Sequence, residues 1–105
     1  GGELVTKSLR FSGDRLALNY STSAAGSLRI EIQEADGQAI PGFRLEYCIE
    51  SIGDSVEHIV RWKRGRDVSS LSGRPVRLRF VLKDADLYSF QFTPERAVQA
   101  TRGGS

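Results

Sequence analysis

A chain of 105 residues with 39% hydrophobic and 27% charged side chains has the size and composition of a single folded domain, and excludes a disordered chain. No apolar run approaches the ~18 to 20 residues that a membrane-crossing helix needs, and no basic start followed by an apolar stretch suggests a signal peptide. The net charge is only +2, and the single Cys48 excludes an internal disulfide, so stability must come from an apolar core.

In chain order, residues 1–7 are expected to be linker or appended residues, 8–92 a folded domain and 93–105 a tail or linker. The domain reads almost throughout with a period of two. "LRF" (9–11) ends at the turn residues Ser12-Gly13-Asp14, and "LALNYS" (16–21) ends before Ala25-Gly26-Ser27. "LRIEIQ" (28–33) leads into Asp36-Gly37, a dipeptide suited to the tip of a tight hairpin because Gly supplies positive φ there. After Pro41-Gly42 come "FRLEYC" (43–48), the break Gly53-Asp54 and "HIVRWK" (58–63). "DVSSLSG" (67–73) predicts one helical turn that Asp67 caps and Gly73 closes. Beyond Gly73-Arg74-Pro75 lie "VRLRFVL" (76–82) and "LYSFQF" (87–92), and "TPERAVQA" (93–100) has a helix-start pattern past the last strand. Seven such stretches predict an all-β fold, an antiparallel two-sheet β-sandwich, jelly-roll-like, of seven to eight strands. The first stretch (8–11) and the last (87–92) are expected to be neighbours in one sheet.

The two signs of charge are segregated. Residues 30–57 hold Glu31, Glu34, Asp36, Glu46, Glu50, Asp54 and Glu57 against Arg44, whereas residues 61–79 hold Arg61, Lys63, Arg64, Arg66, Arg74, Arg77 and Arg79 against Asp67. These are read as solvated outer faces of neighbouring strands whose charges complement one another. A nucleic-acid surface would need basic residues interleaved with exposed aromatics, and only Trp62 lies in the basic stretch, so no nucleic-acid partner is expected.

Little in the chain reads as catalysis. Cys48 and His58 are the only cysteine and histidine, and Cys48 is read as a buried structural thiol. The acids alternate with core residues instead of converging, and phosphate-loop, zinc, nucleophile-elbow and dinucleotide motifs are missing. No catalytic residue, metal site or cofactor is expected, although Asp84 and Asp86 could contribute two carboxylates to a cation. Trp62 shares strand parity with His58 and Val60 and so points inward, yet beside Arg64 and Arg66 it is also the best candidate for stacking on a sugar ring. Tyr20, Tyr47 and Tyr88 face the same choice between core and surface.

The stretches "EADGQAIPGF", "GDS", "VRWKRGRDVSSLSGRPVRLRF" and "DADLYSFQF" strongly resemble a β-sandwich module that follows the catalytic or propeller domain in bacterial secreted glycoside hydrolases and related β-propeller proteins. The matching positions are Asp36-Gly37, Ile40 to Phe43, Gly53-Asp54, Trp62-Lys63, Asp67 to Ser69, Leu71, Gly73, Pro75 to Phe80 and Asp84 to Phe92, so the likeness spans residues 8–92. The chain departs from the pattern at Glu34-Ala35, where the module has an earlier Asp, and at Arg64, where Gly is usual. The resemblance implies a monomeric, non-catalytic accessory domain of a glycoside hydrolase-type protein, extracellular or periplasmic, with a glycan or the neighbouring catalytic domain as partner. Carbohydrate binding through Trp62, Arg64 and Arg66 and purely structural packing on that neighbour are its two functional forms.

Overall fold

Alternation of apolar and polar residues produces two long strands that dominate the molecule. In the computed structural model, which describes residues 2–94, β1 (Gly2–Val5), β2 (Arg15–Glu34), β3 (Asp54–Ile59) and β4 (Val76–Thr93) form one antiparallel sheet in the order β1-β4-β2-β3. β2 and β4 pair along nearly their whole length, from Arg15 opposite Thr93 to Glu34 opposite Val76. Cross-strand partners share a face, so Leu16/Phe92, Leu18/Phe90, Leu28/Leu82, Ile30/Phe80 and Ile32/Leu78 turn together toward the core. No helix among the described residues is long and apolar enough to cross a membrane.

The seven strand-like stretches thus resolve differently from the expected two sheets. "LALNYS" and "LRIEIQ" are two halves of β2, and "VRLRFVL" and "LYSFQF" are two halves of β4. Between the halves the register jumps: Thr22 faces Ala85 and Ser27 faces Lys83, so residues 23–26 oppose Asp84 alone. Here the ribbon folds over. The Phe80 and Phe90 rings meet at 5.4 Å between centroids, although ten residues of straight strand would hold them about 33 Å apart. Turn chemistry at Ala25-Gly26-Ser27 and Asp84-Ala85-Asp86 therefore makes a corner in a continuous sheet, not hairpins. Asp84 takes the inner side of the corner at φ 46°, the one non-glycine residue with positive φ among those described.

The remaining stretches are not strands of a second sheet. Leu9 makes a single bridge to Val76, and residues 45–47 form a 3₁₀ turn instead of the middle of a strand. "HIVRWK" leaves β3 after Ile59 and continues as loop. The expected helical turn is a 3₁₀ turn at Ser69–Leu71, with the Ser69 N–H donating to Asp67 Oδ1 at 2.9 Å. Gly2–Val5, read as linker, forms β1 and pairs with Arg79 to Leu82 in the first half of β4. The expected pairing of 8–11 with 87–92 does not form: residues 87–92 pair with the first half of β2, and of 8–11 only Leu9 bridges, to Val76. Of "TPERAVQA", Thr93 ends β4 and the residues after Pro94 lie outside the described ones.

Long connections close the core. Residues 35–53 and 60–75 contribute Ile40, Phe43, Cys48, Val60, Trp62, Val68 and Leu71, all buried against the inward faces of β2 and β4. Asp36-Gly37 forms the tight reversal expected of it, with the Gly37 N–H donating to the Glu34 carbonyl at 2.9 Å and φ of 96° at Gly37.

Two glycines test the two constraints separately. A Cβ on Gly26 would lie 2.6 Å from the Lys83 carbonyl oxygen and closer still to that of Asp84. Gly26→Ala should therefore destabilise by about 1–3 kcal/mol, the range for forced overpacking, and toward its upper end because the neighbours are backbone atoms. A Cβ on Gly37 meets nothing within 4 Å, so Gly37→Val should cost only the strain of its dihedral, about 1–3 kcal/mol. Urea midpoints at constant m-value read both.

Candidate functional site

Trp62 is 1% exposed and lies in the core, where its indole N–H donates to the Ile30 carbonyl at 3.1 Å. Its ring meets Phe43 edge-on, with centroids 5.2 Å apart and planes at 75°. Both its polar group and its faces are engaged, so no ring surface is left for a sugar. Of its two expected companions, Arg64 turns back over the Phe43 ring with its guanidinium carbon 4.6 Å from the centroid. It lies against Gly42, where a Cβ would come within 3.0 Å of Arg64 Cδ. Arg66 points to a different place, a small cleft of about 230 Å³ shared with Asp14, Arg15, Asp67 and Ser69. The structure thus does not bring Trp62, Arg64 and Arg66 together into one surface.

Trp62 also sets what its neighbours do. It bridges Cys48 in antiparallel fashion, with the Lys63 N–H donating to the Tyr47 carbonyl at 2.8 Å and the Ile49 N–H to the Arg61 carbonyl at 2.9 Å. Because Cys48 and Trp62 both point inward, alternation turns Tyr47, Ile49, Arg61 and Lys63 outward. Tyr47 is 39% and Ile49 50% exposed, both bases are exposed, and the Lys63 ammonium lies 5.8 Å from the Tyr47 ring centroid. Nothing local in the sequence shows that 47–49 and 61–63 pair, so this surface is not visible from Trp62 alone.

The basic stretch divides in two. Arg74 pairs with Glu34 at 2.7 Å, and Arg79 joins Glu31 at 3.5 Å and Glu3, making an ion ladder across β2, β4 and β1. Glu31 is nearly buried; burial alone would raise its pKa, but hydrogen bonds from Gln33 Nε2 and the Leu45 N–H and the charge of Arg79 hold it below the ordinary carboxylate value. No ion pair forms at Arg61, Lys63, Arg64 or Arg66 among the described residues.

At the corner of the sheet lies an open groove of about 1000 Å³ lined by Glu3, Ser21, Thr22, Ser23, Asp84 and Asp86 among others. Asp84 and Asp86 do share it, but the described residues contain no set of three His, Cys, Asp or Glu placed to hold a metal. Thr22 Oγ1 is already engaged with Gly53. Cys48 is buried with its pKa pushed up to about 11, chiefly by desolvation, so it is a thiol at neutral pH. His58 packs edge-on to Tyr20 at 5.4 Å, and Cys48 Sγ accepts instead from the Ile30 N–H at 3.3 Å. The two share no hydrogen bond.

Compared with known protein families, curated proteins and solved structures, the chain finds no match in any of the three.

Trp62→Ala should cost about 3–5 kcal/mol through the cavity and the orphaned Ile30 carbonyl, whereas the exposed Arg66→Ala should stay within about 0.5 kcal/mol of the parent; thermal melts of both decide it. His58 is held below its ordinary pKa of 6.5, first by burial and then by the charge of Arg61. The folded chain therefore takes up this proton less readily than the unfolded one. The contribution of His58 to stability is intact above 6.5 and falls as pH drops from there toward the lowered folded value. His58→Asn should flatten the pH dependence of the urea midpoint between about pH 7.5 and about pH 5.5.

Proposed function

We propose that the chain is a non-catalytic accessory module of a larger glycoside hydrolase-type protein, secreted or periplasmic, whose first task is to pack on a neighbouring domain. In this reading the two halves of the folded sheet are the counterparts of the two sheets of the jelly-roll-like sandwich. The observation that carries the packing role is the exposure of Ile52 (66%), just before the edge strand β3, and of Val56 (81%) within it. With the sole tryptophan in the core, these are the most exposed large hydrophobics among the described residues. Aliphatic side chains this exposed suit an interface.

Charge specifies the occupant. Residues 50–57, which hold Ile52 and Val56, carry Glu50, Asp54 and Glu57 and no Lys or Arg, so the fitting surface on the neighbour is apolar and rimmed by Lys and Arg. Edge-to-edge strand addition is not the mode, because β3 has only six residues, a register shift where it pairs with Leu18 and Tyr20, and acidic side chains.

The reading is tested with Ile52→Ser combined with Val56→Ser, made both in the isolated chain and in the longer protein. The isolated chain should melt as before, within about 0.5 kcal/mol, since both positions are on the surface. The longer protein should lose several degrees from the transition of the adjoining domain. An unchanged transition there would reject the packing role.

A further inference from the structure

We infer that the outward face of the short ladder between residues 47–49 and 61–63 binds a carboxylated polysaccharide, with Tyr47 as the stacking surface and Arg61 and Lys63 as the carboxylate-binding groups. This goes beyond the packing role and does not depend on it, since Ile52 and Val56 are not part of this face.

Three observations converge on it. The inward placement of Trp62 and Cys48 forces Tyr47, Ile49, Arg61 and Lys63 to one outer surface, so the arrangement is built by the core and not by chance rotamers. Arg61 and Lys63 are exposed and have no carboxylate partner among the described residues, unlike Arg74 and Arg79 on the sheet. Lys63 Nζ stands over the Tyr47 ring, 5.8 Å from its centroid, so a cation is held at the one exposed aromatic of this face.

The chemistry follows from that pairing. The C–H bonds on one face of a pyranose carry partial positive charge and settle on the negative face of an aromatic ring. A uronic acid adds a carboxylate at the ring edge, where an arginine fork or a lysine can bind it through charge-assisted hydrogen bonds. A neutral glycan would leave both cations without partners. Nucleic acid is disfavoured because base stacking needs several aromatic platforms along a basic groove, and Tyr47 is the single exposed aromatic on this face.

The test is affinity electrophoresis of the 105-residue chain in gels containing polygalacturonate, unsubstituted amylose, or single-stranded DNA of matched charge. The expected result is retardation by polygalacturonate alone, weakening as salt is raised because the contacts are exposed. Arg61→Gln with Lys63→Gln should weaken it at least about ten-fold, given two lost charge-assisted contacts, and Tyr47→Ala should also weaken it. All three positions are exposed, so the melting temperature of each variant should stay at the parent value and separate lost binding from lost folding. Equal retardation by DNA would reduce the face to a nonspecific polyanion surface and overturn the proposal. So would equal retardation by amylose, no retardation by polygalacturonate, or unaltered retardation of the variants.

Discussion

The close approach of two backbones at one corner organises this protein. Where residues 23–26 pass Asp84, the chain has room for hydrogen only, and Gly26 supplies it against the carbonyls of Lys83 and Asp84. Straight, the β2/β4 ribbon would show one long apolar face to water, because each half carries its inward side chains on the same side. Folded at the corner, the halves cover each other, and Phe80 finds Phe90. Asp84 tolerates the left-handed conformation there better than a bulkier residue would. The two long connections then seal the open side with Phe43, Trp62, Val68 and Leu71.

Much of this was legible in the sequence, though not its count of strands. Period-two alternation correctly marked Leu16, Leu18, Leu28, Ile30, Ile32, Val76, Leu78 and Phe80 as inward. It could not tell a hairpin from a corner, because both need Gly and Asp at the break and alternation resumes on either side. Only the register, with four residues facing one, distinguishes them. "FRLEYC" shows the opposite failure. It alternates well enough to pass for a strand, but Phe43 and Cys48 are buried while Tyr47 is exposed, and the backbone between them is a 3₁₀ turn. Gly2–Val5 was illegible for another reason. A four-residue segment carries too little pattern, and it is ordered by the open edge of β4 at Arg79 to Leu82.

The residues expected to share a sugar-binding surface are separated by the fold, with Trp62 in the core, Arg64 over Phe43 and Arg66 in a cleft with Asp14 and Asp67. Strand parity puts Trp62 inside, and its bond to the Ile30 carbonyl agrees, which leaves the ring no face for a sugar. Its consequence lies next door, since an inward Trp62 requires outward Arg61 and Lys63. The partner stretch is 14 residues away in sequence, Cys48 to Trp62, and such a pairing carries no local signal. Arg64, which stands where the resembled module has glycine, is likewise explained by packing: its guanidinium covers Phe43, which is 2% exposed.

The division of the cations between two environments carries the last step. On the outer face of the sheet, arginine and glutamate alternate across neighbouring strands, and the ladder Glu31–Arg79–Glu3 satisfies each charge within the fold. The Arg79–Glu3 pair is solvent-exposed and adds little stability by itself, whereas Glu31 is buried and also accepts hydrogen bonds from Gln33 Nε2 and the Leu45 N–H. Arg61 and Lys63 have no such role in the described residues, and water solvates them at no cost to folding. Their position is nevertheless rigid, because the backbone that carries them is bonded to Tyr47 and Ile49 and anchored by Trp62 in the core. Backbone held in this way fixes where the two cations leave the surface, so that part of the ordering entropy has already been met by folding, unlike the same residues on a free loop.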